Sequence, residues 1–148
     1  MKLNLTLLAA SALAVGAVAA GCGSSNDNST STTSLTKAEW VVKADAICKT
    51  SNQQINQAGQ QQFGKQKPSQ DQLNSFATGT IIPDVQKQLD DIKALGFPDD
   101  QASKILDDAQ AALDKAKADP TALTGGGQGP FADVNKEAKA YGLKVCGK

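Results

Sequence analysis

Histidine and arginine are both missing from this chain, and each absence narrows the chemistry open to it. Without histidine it lacks the commonest general base and the commonest transition-metal ligand. Without arginine it lacks the planar fork that grips phosphate or carboxylate in a bidentate manner. Lysines supply all 15 cations and balance 15 acidic residues, so the net charge is zero and electrostatic binding to nucleic acid is not expected. Glutamate is scarce too: Glu39 and Glu137 are the only two. Aromatic residues make up only 4% of the chain, with one tryptophan, Trp40, and one tyrosine, Tyr141. The three cysteines are too few and too widely spaced for a CxxC metal or redox motif. No cofactor, no metal and no catalytic residue set is expected.

One long apolar run is present, at the start. Lys2 is followed by Leu3, Leu5, Leu7, Leu8, Leu13, Val15 and Val18 among alanines, the charged start and apolar middle of a secretory signal peptide. Leu3 to Ala20 is at the short limit for a membrane span and rich in small residues, which disfavours a permanent span. Gly23 to Ser34 then carries only small polar residues and reads as a flexible linker, able to hold a following domain ~20 Å from a surface. The expected organisation is a signal peptide over 1–21, a tether over 22–35 and one domain over 36–148.

Four helices are expected in that domain. Thr36 and Glu39 have the spacing of a capping box, with Leu35 and Trp40 at the positions of a hydrophobic staple. Trp40, Ala44, Ile47, Cys48, Ile55 and Ala58 then recur at helical spacing, before Gly64 to Pro68 breaks the pattern. Ser69 and Gln72 form a second capping box, followed by Leu73, Phe76, Thr80, Ile81, Val85, Leu89 and Ile92 in roughly helical phase. Pro83 removes a donor and clashes with the Gly79 carbonyl, which predicts a kink or two helices joined near Thr80 to Ile82. Asp99 or Asp100 caps the third helix, whose stripe is Ala102, Ile105, Leu106, Ala109, Ala112, Leu113 and Ala116. Phe131, Val134, Ala138 and Tyr141 mark the last helix, which Gly142 ends. The predicted fold is all-α, an antiparallel four-helix bundle with its second helix kinked or split at Pro83.

The residues Val18-Ala19-Ala20-Gly21-Cys22 resemble the lipobox of bacterial lipoproteins, in which the leader is cut before a cysteine that then carries lipid, such as palmitate. Ala19 stands where that family usually has leucine, and Ala17-Val18-Ala19 also fits an ordinary secretory cleavage site. With lipid on Cys22, Cys48 and Cys146 are left as an even pair in an exported chain, which predicts a disulfide between them. The phrases Ala44 to Lys49, Leu95 to Asp100 and Ala140 to Gly147 resemble small exported helical lipoproteins of actinobacterial type, a family of unknown function. That resemblance implies a disulfide-tied bundle, lipid-anchored at the outer face of the cell membrane; plain secretion is the alternative.

Other features have structural readings. The pairs Asp90-Asp91, Asp99-Asp100 and Asp107-Asp108 read as helix caps and solvated faces, because neighbours on a helix point about 100 degrees apart. Thr124 to Pro130 is glycine-rich but has no GK[ST] or GxGxxG frame to hold phosphate. Trp40 and Tyr141 read as core residues rather than as the lining of a ligand cleft. Two functional classes follow. One is a non-enzymatic interaction or structural module that presents its bundle to an envelope protein or wall polymer. The other is a small-molecule carrier with an apolar cavity between helices, its mouth near Pro83.

Overall fold

The computed structural model describes residues 35–125 and 129–148, and among them every regular element is helical. Cys22, the leader and the tether up to residue 34 lie outside the described residues. Helix α1 runs over Lys37–Phe63, α2 over Gln70–Phe76, a π-helical turn over Ala77–Ile81, and α3 over Ile82–Lys93. Helix α4 follows over Asp100–Ala118, a single turn α5 over Thr121–Thr124, and α6 over Ala132–Tyr141. Helix α1 packs on α3, α3 on α4, and α4 on α6.

The helix starts follow the local chemistry. Thr36 accepts the Glu39 amide while the Glu39 carboxylate accepts the Thr36 amide, and Ser69 and Gln72 repeat the exchange. Asp99 caps α4 by accepting the Ala102 amide at 2.8 Å. The end of α6 is a Schellman turn: Leu143 N–H reaches the Ala138 carbonyl and Gly142 N–H reaches that of Lys139. Gly142 sits there at φ +123, where a side chain would be strained.

Pro83 neither ends the second helix nor leaves a gap. The backbone stays helical from Gln70 to Lys93, and the turn ahead of the proline widens to the π form, with Ile82 N–H bonding the Ala77 carbonyl five residues back. A wider turn relieves the clash between the ring and the preceding carbonyl. It also broadens the inward face. Sequence periodicity puts Ile81 inward, and Ile81 lines the cavity while Ala77 and Ile82 are buried as well.

The core is built from Trp40, Ala44 and Cys48 on α1, Leu89 and Ile92 on α3, a full stripe on α4, and Val134, Ala138 and Tyr141 on α6. All seven residues of the α4 stripe are buried. Its alanines lower side-chain bulk and let the neighbouring helices approach.

Candidate functional site: an apolar cavity between the helices

Two anchors fix the chain's last residues. Cys48 and Cys146 form a disulfide with S–S 2.02 Å and Cα–Cα 5.3 Å. One turn earlier on α1, the Asp45 carboxylate accepts the backbone N–H groups of Lys144, Val145 and Cys146 at 2.8, 2.9 and 3.1 Å. A carboxylate receiving three amides orients the backbone from its ionised charge. Gly147 fits only as glycine, since a Cβ there would lie 2.7 Å from the Lys139 amide nitrogen. We expect Asp45→Ala in the oxidised protein to lower stability by about 2 kcal/mol, with Asp45→Asn recovering part of it. Urea unfolding measures the loss, and hydrogen exchange should localise it to residues 144–146.

A polar clamp holds the N-terminal end of α1. Trp40 Nε1 donates to the Gly96 carbonyl at 2.8 Å, and its ring meets Tyr141 edge-on at 5.8 Å between centroids. Tyr141 donates its hydroxyl to the Asp99 carboxylate at 2.9 Å, and Lys37 lies 3.8 Å from its ring centre. Asp99 thus serves both the α4 amide and the tyrosine. Hydrogen bonds from Ala102 and Tyr141 hold its carboxyl below the usual range. Burial, then the bond to Asp99, pushes the tyrosine up to about 12. A raised tyrosine contributes stability that is complete below its unfolded value of about 10 and is lost as pH climbs through the folded value. Stability should therefore fall between pH 10 and 12; because Tyr141 is the only tyrosine, phenolate absorbance reads it directly.

Between these anchors lies a cavity of about 270 Å³. Helix α1 contributes Trp40, Asn52 and Ile55, and the π-turn and α3 contribute Ile81, Val85, Gln88, Leu89 and Ile92. Ile105, Leu106 and Ala109 come from α4, Leu123 from α5, and Val134, Asn135 and Ala138 from α6; Phe131 and the tail residues Leu143, Cys146 and Lys148 complete it. The wall is thus mainly aliphatic, with Asn52, Gln88, Asn135 and Lys148 as its polar members. Pro83 itself is exposed and outside the lining, while Ile81 and Val85 on either side of it are inside.

Neither a family model, a curated protein nor a solved structure matches this chain. The cavity and its surroundings are therefore what speaks to function.

The disulfide pair is where the cysteine count placed it, and Cys146 also forms part of the cavity wall. Trp40 and Tyr141 are core residues, as their helical phase indicated, and Trp40 also lines the cavity. The acidic pairs disperse into separate contacts: Asp91 pairs with Lys87, Asp108 with Lys104, Asp90 accepts Gln86, and Asp99 caps α4. Asp45 and α5 had no distinguishing signal in the sequence. An aspartate in the middle of a helix reads as solvated until the tail it binds is placed beside it.

Proposed function

We propose that this protein is a non-enzymatic carrier of a small apolar molecule, held at the outer face of the cell membrane by lipid on Cys22. The cavity is the observation that carries this reading. At about 270 Å³ it is nearly twice the ~150 Å³ of an aliphatic cavity that binds benzene, and its lining has the apolar character of ligand sites. The interaction-module reading asks for an exposed apolar patch of several hundred Å². Val42 is the only large hydrophobic residue that is well exposed among the described residues, and one side chain is not such a patch. We read the helix packing as an antiparallel four-helix bundle opened on one side by this cavity. The short connection Ala94 to Asp99 between α3 and α4 supports that arrangement. The lipobox-like Val18 to Cys22, the polar tether and the disulfide, a bond favoured in oxidising compartments, support export and anchoring.

Titration with N-phenylnaphthylamine, a neutral apolar dye that brightens on leaving water, tests the cavity. We expect saturable fluorescence that falls about tenfold in affinity in Val85→Phe, which fills the space with a larger ring. Circular dichroism controls for folding. No saturable enhancement in the folded protein would sink the carrier. For the anchor, the intact mass of membrane-extracted protein should exceed that of Cys22→Ser by the lipid; an unmodified chain starting at Ala20 would overturn it.

A further inference from the structure

Gln88 is out of place in the wall it belongs to. Ile81, Val85, Gln88 and Ile92 form one helical stripe facing the cavity, and Gln88 is its one polar member. It is half-buried, and its amide keeps access to solvent at the edge of the cavity. An amide in that position both donates and accepts, and can exchange its water for a ligand's hydrogen bond.

A second cleft, of about 290 Å³, lies along α1 and α3, and Gln88 is the one residue that lines both. Ala46 and Ile47 form part of this cleft, and its charged side chains are Asp84, Lys87 and Asp91, beside Ser51 and Gln54. The Ser51 hydroxyl, on a residue only 6% exposed, also lacks a partner among the described residues. Gln88 and the partnerless Ser51 hydroxyl thus line the same cleft.

We propose that the ligand is a neutral amphiphile, with its apolar body in the cavity and a hydroxyl or amide end bonded by Gln88 at the border. This rests on the carrier reading and adds the ligand's class. Charge selects the uncharged head. Asp84 and Asp91 outnumber Lys87 in the second cleft, so an anionic head is repelled there. Lys87 already neutralises Asp91, and the charged side chain in the cavity wall, Lys148, is itself a cation that opposes a cationic head.

Calorimetry with naphthalene, naphthol, naphthoate and naphthylmethylammonium on the full mature chain separates the possibilities. We expect naphthol to bind about three- to tenfold more tightly than naphthalene, as one net hydrogen bond gives, with both ions weaker. In Gln88→Leu, naphthalene should bind at least as well as in the natural protein, while the naphthol preference disappears. Equal binding of naphthalene and naphthol, or a preference unchanged in Gln88→Leu, overturns the Gln88 assignment and leaves the carrier intact. Tightest binding by either ion overturns the neutral class. If none of the four binds, both the assignment and the carrier fail.

Discussion

Replacing Cys48 and Cys146 by alanine should lower the stability of this protein by roughly 4–5 kcal/mol, the largest effect expected from any paired substitution. The bond joins residues 98 apart, so it closes nearly the whole described domain into one loop. In the chain-entropy view, a loop of that length removes about 4.7 kcal/mol of freedom from the unfolded chain. Natural domains have only about 5–15 kcal/mol in total, so the open form is left marginal. At roughly 4 °C or more per kcal/mol for a domain of this size, melting should fall by about 15 °C or more. Thermal melts of the double variant, and of the natural protein with and without reductant, check this. A change below about 1 kcal/mol would mean that Asp45 and the packing of Leu143 already fix the tail, leaving the bond little to add. The functional consequence is separable, because Cys146 and Leu143 form part of the cavity wall. Dye affinity should fall on reduction even at temperatures where the helices remain folded.

Much of this architecture was legible in the sequence because its signals are local. A capping box needs four residues, and both boxes form as their sequences indicate. The α4 stripe needs only helical phase, and all seven of its residues are buried. Gly142 followed by Leu143 fixed the end of α6, since a positive φ and a hydrophobic follower are neighbours in the chain. What escaped was non-local or depended on a subtle local choice. Pro83 announces a disturbed helix, but the choice between a kink, a break and a π-turn depends on packing against α1 and α4. The burial of Ile82 beside an inward Ile81 follows from that choice. Asp45 is three amides away from being an ordinary solvated aspartate, and those amides lie about 100 positions down the chain. The cavity is the least legible of all. The apolar residues of its wall have the pattern of core residues, and only the packing of the helices decides whether they meet or leave space.

Trp40→Ala should cost about 3–5 kcal/mol, the largest single-residue effect in the chain. The side chain is fully buried, so the whole ring is lost from the core. Two further losses accompany it. The Gly96 carbonyl loses the indole N–H, and Tyr141 loses the edge contact that steadies it above Asp99. Trp40→Phe separates these effects: it keeps most of the apolar volume and removes the donor, and should cost about 1–2 kcal/mol. Cys48 lies eight residues further along α1, some 12 Å at the helical rise, so the two losses fall at separate points of one core. Trp40→Ala combined with reduction should accordingly unfold the protein, whereas either change alone leaves it folded in the cold. Because Trp40 lines the cavity, its removal also enlarges the binding space rather than filling it. A ligand that binds only the folded form stabilises it by RT ln(1 + [L]/Kd), about 2.7 kcal/mol at a hundredfold excess over Kd. N-phenylnaphthylamine should therefore raise the melting temperature of Trp40→Ala at least as much as that of the natural protein, and raise that of Val85→Phe much less. Equal shifts in all three would place the dye elsewhere than in the cavity, and would remove the main support for the carrier.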